Sequence, residues 1–198
     1  MSKLYVLGLT GSIGMGKTTT ANMFRDAQIA VWDADAAVHE LYTTHTDTIE
    51  KIAELAPIAV DGDGVNRDRL RNVLQADKSL FAKLEQIVHP AIRMHRDAFL
   101  TKCRELSLSL AVVDIPLLFE TGADEWVDGV LVVSTSADNQ RARVLKRGMD
   151  EKSFEMILFR QTPDAEKRAR ADFVIETNSL EHVRTEVHKL IEQLTKEH

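Results

Sequence analysis

The hydrophobic positions of this chain fall into short continuous runs, separated by longer segments in which they recur every three or four residues. A short run without polar alternation is typical of a strand buried on both faces of a sheet. We predict five such strands, at Tyr5–Leu9, Ala30–Trp32, Leu108–Val113, Gly129–Val133 and Phe173–Ile175. Helical segments lie between them, so the pattern predicts an α/β fold with a parallel sheet covered by helices.

The longest helical segment runs from Asp35 to Leu106 and contains no convincing strand. Within it, His89 and Pro90 are expected to separate two helices, because proline lacks the backbone N–H that a helix interior uses. A second helical insertion runs from Asp138 to Ala169, and a last helix, Leu180 to about Lys196, is expected to pack on the sheet. Insertions at the carboxyl ends of parallel strands often build a substrate site or a lid.

Composition narrows the class of protein. With 198 residues, 44% of them hydrophobic and 28% charged, the chain suits one globular domain with excursions. A formal net charge of -6 argues against a general nucleic-acid-binding surface. Cys103 is the only cysteine, which excludes an internal disulfide and favours the cytoplasm. No run reaches the ~20 apolar residues of a membrane-spanning helix, so we expect no membrane partner.

The strongest chemical signal lies between the first strand and a helix predicted from Lys17 to Asp26. Residues 11–18 read Gly-Ser-Ile-Gly-Met-Gly-Lys-Thr and match the phosphate-binding pattern G-x-x-x-x-G-K-[ST]. Glycine leaves room for backbone N–H groups to turn towards phosphate oxygens, and the helix start adds its dipole. Lys17 is expected to reach the β- and γ-phosphates, and the Thr18 hydroxyl to ligate Mg²⁺. An ordinary glycine-rich turn is the alternative, and the flanking strand and helix disfavour it.

Two carboxylates, Asp33 and Asp35, directly follow the second predicted strand. Residues two apart in an extended chain point to the same side, so both carboxylates can face one cleft. We expect this strand to lie near the phosphate loop, because consecutive β-α-β units are usually adjacent. Asp33 is the candidate base for the proton of an attacking hydroxyl group. Asp35 is either a second functional carboxylate or the N-cap of the next helix.

A further carboxylate, Asp114, ends the strand Leu108–Val113. Apolar residues followed by an acid form the pattern that holds Mg²⁺ through water in nucleotide-binding proteins, and a solvated strand end is the alternative. The segment Pro116–Glu120 comes next, with large apolar side chains in a turn that proline fixes. Taken alone, it indicates only a packing loop.

Basic residues concentrate in the second insertion. Arg143 and Arg147 are four residues apart and share one face of a helix. There they could neutralise charge on a transferred phosphoryl group, although an arginine-rich helix face is more often simply solvated. In the first insertion, Arg67 belongs to a smaller basic group that could bind a phosphorylated acceptor, and His89 is either a helix cap or a substrate contact.

Together these features resemble the dephospho-coenzyme A kinase family over almost the whole chain. The matching segments, in order, are Thr10–Thr18, Asp33–Asp35, His89–Pro90, Pro116–Glu120, Gln140 with Arg143 and Arg147, Gln161, and Lys167 ahead of Ala171–Ile175. The Asp-Ala-Asp and Pro-Leu-Leu-Phe-Glu segments are far more particular to this family than the phosphate loop is. One departure is Thr177, which stands where the family has asparagine.

The resemblance implies a P-loop NTPase fold: a doubly wound, parallel, five-stranded sheet with a helical acceptor-binding insertion and a helical lid. The expected core covers about residues 1–34, 107–137 and 171–198, the insertion about 35–106 and the lid about 138–170. The resemblance also implies transfer of the ATP γ-phosphate to the ribose 3′-hydroxyl of dephospho-CoA, which gives CoA and ADP. Mg²⁺ is the implied metal, and no obligate protein partner is inferred.

Taken with the patterns above, the resemblance implies roles for individual residues. Asp33, Lys17 and Arg143 form the expected catalytic set, and Thr18 and Asp114 are the expected metal ligands. ATP is expected on Gly11, Ser12, Ile13, Gly14, Met15, Gly16, Lys17, Thr18, Thr19 and Arg147. Dephospho-CoA is expected on Asp33, Asp35, Arg67, His89 and Leu117.

Two other classes of protein fit part of the pattern. Another small-molecule P-loop kinase, such as a nucleoside monophosphate kinase, would share the phosphate loop and differ in its acceptor. A regulatory GTPase would need a guanine-reading Asn-Lys-x-Asp run, which the sequence lacks.

Overall fold

The computed structural model describes residues 3–197, and its elements follow the predicted alternation. The strands are β1 (Tyr5–Thr10), β2 (Ala30–Asp33), β3 (Val60–Asp61), β4 (Gly64–Val65), β5 (Leu110–Asp114), β6 (Gly129–Ser134) and β7 (Phe173–Glu176). The helices are α1 (Lys17–Asp26), α2 (Ala34–Thr43), α3 (Thr46–Leu55), α4 (Arg67–Ala76), α5 (Leu80–Glu105), α6 (Ala137–Lys146), α7 (Glu151–Arg160), α8 (Asp164–Arg170) and α9 (Leu180–Glu197). Residues 1, 2 and 198, which the predicted core ranges include, lie outside the described part.

Five strands form a parallel sheet in the order β2-β5-β1-β6-β7, which confirms the predicted fold class. In the centre, Leu7 of β1 lies opposite both Val112 of β5 and Gly129 of β6. The strand order reverses at β1, with β5 and β2 on one side and β6 and β7 on the other. Ligands of such sheets bind at the carboxyl end of this switch point, where the phosphate loop begins.

The expected adjacency of β1 and β2 is wrong, because β5 lies between them. All of β5 is buried, whereas only Trp32 is buried in β2. A strand that is apolar on both faces gains most from the middle of a sheet, and a half-exposed strand suits its edge. The strand bounds also shift. The strand β5 begins two residues later than expected, at Leu110, and each of the five sheet strands ends one residue later than expected, on a polar side chain.

The chain divides into two compact units, residues 1–32 with 103–198 and residues 33–102. In the first unit, α1 and α9 bury apolar side chains on the central strands. Val183, Val187 and Leu194 of α9 are each at most 3% exposed, which confirms that the last helix packs on the sheet. The predicted second insertion forms the three consecutive helices α6 to α8 of this unit.

The second unit has a core of its own, built from α2 to α5 around buried side chains such as Leu41, Ile52 and Leu70. It also contains a small hairpin, in which Val60 of β3 pairs with Val65 of β4 in antiparallel register. The expectation of no strand between Asp35 and Leu106 is therefore wrong. Strands of two residues carry too little periodicity to be recognised in a sequence.

Pro90 does not separate two helices, because it lies inside the single helix α5, which is 26 residues long. Val88 before the proline and Ile92 after it pack against the same core, so burial on both sides holds the helix together despite the missing N–H. Neither this helix nor any other within residues 3–197 combines the length and the apolar character needed to cross a bilayer.

Candidate functional site

The loop between β1 and α1 has the backbone geometry of an anion cradle. Gly14 and Gly16 adopt φ angles of 78° and 96°, in the left-handed region that favours glycine. A Cβ on Gly14 would stand 2.9 Å from the carbonyl oxygen of Gln140, so a side chain does not fit there. The helix α1 starts directly afterwards at Lys17, and its N-cap Gly16 makes no side-chain capping bond in the described structure. The first N–H groups of this helix can therefore serve an anionic ligand.

Lys17 and Asp114 form an ion pair where β5 ends. The Nζ–Oδ1 distance is 2.6 Å, and the two side chains are 16% and 1% exposed. Thr18 follows on α1 and is exposed. The structure thus joins the predicted phosphate-binding lysine to the predicted metal carboxylate. The Thr18 hydroxyl and the Asp114 carboxylate are hard oxygen donors, so both fit Mg²⁺.

Asp33 is the last residue of β2 and also the N-cap of α2, since its Oδ1 accepts a hydrogen bond from Ala36 N at 3.0 Å. The alternative that Asp35 caps this helix is therefore wrong. Asp35 lies in the first turn of α2 and is exposed. Because Asp35 is helical, the extended-chain argument that both carboxylates face one cleft does not apply to it. Its negative charge there suits the positive end of the helix dipole.

Arg143, on α6, is held against the segment that follows β7. Its guanidinium donates to the Thr177 hydroxyl at 2.9 Å and to the Thr177 carbonyl oxygen. The same hydroxyl donates to the Met15 carbonyl oxygen at 2.8 Å, which ties this segment to the phosphate loop. Thr177 is buried and makes three hydrogen bonds here, two with Arg143 and one with the Met15 carbonyl oxygen, so it links α6 to the phosphate loop.

A cavity of about 310 Å³ opens beside these groups. Its walls include Arg143 and Arg147 together with residues from the start of α1 and from the segment that follows β7. The lining residues are Gly16, Thr19, Thr20, Arg143, Arg147, Thr177, Asn178, Ser179, Leu180 and Val183. The structure therefore brings Arg143, Arg147 and Thr19 to one cavity, and their roles towards ATP stay predictions. The sequence reasoning missed Ser179, Leu180 and Val183, since nothing in a helix start after β7 indicates a cavity wall.

Two glutamines hold the backbone of Ile13 in the phosphate loop. Gln161, at the end of α7, accepts a hydrogen bond from Ile13 N at 3.1 Å, and Gln140 of α6 donates to Ile13 O at 2.7 Å. Sequence reasoning named both glutamines only as shared features and gave them no role. The spacing of Gln140 and Arg143, three apart on one helix face, was the available signal.

The expected acceptor residues belong to different elements of the two units. Arg67 is the first residue of α4, and its guanidinium carbon lies 5.7 Å from the centre of the Tyr42 ring. Burial raises the pKa of Tyr42, and the positive charge of Arg67 partly opposes this increase. His89 is exposed on α5, and Leu117 is 42% exposed in the other unit. A cavity of about 880 Å³ lies in the helical unit, and its lining includes Pro90 but neither Arg67 nor His89.

Comparison with known proteins decides the family. The family model described as dephospho-CoA kinase matches residues 5–182. The chain belongs to the dephospho-CoA kinase family. The dephospho-CoA kinase of Jannaschia sp. (strain CCS1) is 48% identical over 193 residues, which cover 96% of this chain and 97% of that protein.

Solved structures agree with this assignment. A crystal structure of a protein from Thermus thermophilus has a TM-score of 0.81 at 30% identity and covers 98% of this chain and 99% of its own. The dephospho-CoA kinase from Campylobacter jejuni has a TM-score of 0.73 at 25% identity and covers 96% and 97%. The resemblance inferred from the sequence motifs is confirmed, and so is the P-loop kinase architecture.

Proposed function

We propose that this protein transfers the γ-phosphoryl group of ATP to the ribose 3′-hydroxyl of dephospho-CoA, the last step of coenzyme A biosynthesis. The observation that carries the proposal is the family match over residues 5–182, which includes the phosphate loop, Asp33 and Arg143. In the reaction, a bond forms between the 3′-oxygen and the γ-phosphorus, and the bond from that phosphorus to the β-γ bridging oxygen breaks. The products are CoA and ADP.

The proposed ATP site is the cradle of residues 11–16 together with the start of α1. Its backbone N–H groups would bind phosphate oxygens, and Lys17 would move from the Asp114 carboxylate to the β- and γ-phosphates. Thr18 and Asp114 are the proposed holders of Mg²⁺, which would neutralise phosphate charge when bound. The cavity lined by Thr19 and Arg147 is the proposed place for the remainder of the nucleotide.

Asp33 is the proposed general base. The ribose hydroxyl has a pKa far above neutrality, so the carboxylate would accept the proton as the new bond forms and would not generate a free alkoxide beforehand. Capping does not exclude this role, because the bond from Ala36 uses Oδ1 and a carboxylate has further acceptor sites.

The helices of residues 138–170 are the proposed lid, and residues 35–106 the proposed acceptor-binding insertion. Arg143 would stabilise charge on the transferred phosphoryl group, with Arg147 nearby as the C-cap of α6, one residue beyond the helix that was expected to carry both arginines. A closed lid would exclude water, which otherwise competes with the ribose hydroxyl for the phosphoryl group. Within the insertion, Asp35, Arg67 and His89 are proposed acceptor contacts.

Leu117 is the proposed acceptor contact outside the insertion, because its side chain is 42% exposed in the turn after β5. An apolar side chain at that turn could pack against the pantetheine or adenosine part of the acceptor. The proposed reaction involves only small molecules, and the proposed compartment is the cytoplasm, which suits a sequence whose single cysteine excludes an internal disulfide.

The direct test is to incubate the purified protein with ATP, Mg²⁺ and dephospho-CoA and to detect CoA by mass spectrometry. We expect one CoA for each ADP, and no CoA when EDTA removes the metal. Parallel reactions replace dephospho-CoA by AMP, CMP or UMP, and ATP by GTP. Phosphorylation of a nucleoside monophosphate without CoA formation would contradict the proposal and favour the nucleoside monophosphate kinase alternative.

A further inference from the structure

The contacts of Ile13 suggest a positioning function that the phosphate-loop motif does not contain. Gln161 accepts from Ile13 N at 3.1 Å and Gln140 donates to Ile13 O at 2.7 Å, so both backbone groups of one loop residue are bound by lid side chains. Ile13 is the third residue of the pattern that starts at Gly11. Its position is therefore fixed from the lid side, and it can shift relative to the lid only if these bonds break.

A second set of contacts fixes the segment that carries Gln161. The next residue, Thr162, donates its backbone N–H to Glu120 Oε1 at 2.8 Å. The same oxygen lies 3.0 Å from Lys167 Nζ at the far end of the segment. One carboxylate of the Pro116–Glu120 turn thus holds the segment from residue 162 to residue 167 at both ends.

The burial of Lys167 makes this arrangement rigid. Its side chain is 0% exposed, and its ammonium group pairs with Glu120 without the alignment of a good hydrogen bond. A buried ammonium group that loses its carboxylate is strongly disfavoured, so movement of the segment away from Glu120 is costly. Burial alone would raise the pKa of Glu120, but the Thr162 N–H and the Lys167 ammonium outweigh it and lower the pKa, which keeps the carboxylate charged.

We propose that Gln161 is a positioning residue for phosphoryl transfer, and that Glu120 with Lys167 holds it in place. Gln161 keeps the phosphate loop in register with α6, the helix that carries Arg143. The expected change in kcat rests on the proposed kinase function. The expected change in hydrogen exchange at the Ile13 N–H does not depend on that function.

The first test is Gln161→Met, which keeps the length of the side chain and removes the acceptor. Gln193→Met, on the exposed face of α9, is the matched control. In the variant we expect kcat to fall about tenfold through misplacement of the reacting groups, while the Kd of ATP changes less than about threefold. We also expect the Ile13 amide to exchange its hydrogen about tenfold faster by NMR, because one hydrogen bond is lost.

Each outcome of this test is decisive. An unchanged exchange rate at Ile13 would overturn the inference, and so would an unchanged kcat or a loss confined to ATP affinity. If the unaltered protein forms no CoA, the proposed function fails, and the exchange rate at Ile13 still decides whether Gln161 holds the loop.

The second test asks whether the Glu120 carboxylate positions the Gln161 segment, apart from any contribution to stability. It uses two double variants that leave the net charge of the protein unchanged. Glu120→Gln with Lys167→Met keeps an oxygen for the Thr162 N–H, whereas Glu120→Ala with Lys167→Met removes it. Both replace the buried ion pair by uncharged groups, a change that folded proteins often tolerate. We expect kcat within about threefold of the unaltered protein for the first, and for the second a loss like that of Gln161→Met. Equal kcat values in the two double variants would contradict the role of Glu120.

Discussion

Asp33 combines two functions that substitution can separate, one structural and one proposed to be catalytic. Its Oδ1 caps α2 through Ala36 N at 3.0 Å, and its carboxylate is the proposed base. Asparagine caps helices as well as aspartate does, so Asp33→Asn should leave the unfolding free energy unchanged within about 0.5 kcal/mol. It cannot accept the ribose proton, however, so we expect turnover to fall by roughly a hundredfold or more.

Asp33→Ala supplies the comparison, because it removes both functions. Loss of the cap should cost about 1 kcal/mol. For a chain of this size such a loss lowers the melting temperature by about 2–4 °C. Turnover measured as CoA by mass spectrometry, ATP affinity by calorimetry and melting temperature are compared for both variants. Asp150→Asn is the matched control, since Asp150 caps α7 through Ser153 N at 2.9 Å and has no proposed catalytic role.

If Asp33 has both functions, Asp33→Asn and Asp33→Ala lose similar turnover and differ in stability. Near-normal turnover in Asp33→Asn would remove Asp33 as the base. A fall in melting temperature as large as that of Asp33→Ala would show that the cap does not work as the structure indicates. Weakened ATP binding that accounts for the whole loss of rate would make Asp33 a binding residue.

Three further predictions concern Lys17, Gly14 and Glu120. Lys17→Met should abolish ATP binding that calorimetry can measure. It should also lower the free energy of unfolding in urea by about 3 kcal/mol, because it takes the ammonium group from the buried Asp114 carboxylate. Retained ATP affinity would contradict the proposed phosphate contact. Gly14→Ala, at a φ of 78°, should weaken ATP binding by about tenfold or more, whereas Gly62→Ala, where a Cβ meets nothing within 4 Å, should not. The folded-state pKa of Glu120 lies below the ordinary value of 4.5, so its stabilising contribution is complete above that value and is lost as the pH falls through the lower pKa. Urea unfolding between about pH 5 and pH 3 should therefore show a steeper loss of stability in the unaltered protein than in Glu120→Gln, and equal slopes would refute this.

The elements themselves were largely predictable because they depend on local pattern. Strands with an almost continuous apolar run, such as β1 and β5, are recognisable in the sequence because nearly all of their positions are buried. The glycine turn that leads into α1 was equally predictable, since a backbone conformation that excludes a Cβ restricts the sequence directly. Pro90 was misleading, because the rule for proline describes a helix alone and not one whose two halves are buried on the same core.

The candidate site was predictable only in part, because motifs identify residues and not their partners. Asp33 and Asp35 look alike in the sequence, but one caps the helix and the other lies within it. The pairing of Lys17 with Asp114 joins two separate motifs across 97 positions of the chain. Whether the expected acceptor residues act together stays a prediction.

The sequence by itself determined the alternation of strands and helices, the phosphate cradle and the family. Each of these depends on patterns of residue types that extend over only a few positions of the chain. Only the tertiary structure decided that β5 lies between β1 and β2, and that Gln161 reaches Ile13 across 148 positions. Such contacts depend on how buried faces pack against each other, and packing is a property of the whole chain that no short segment contains.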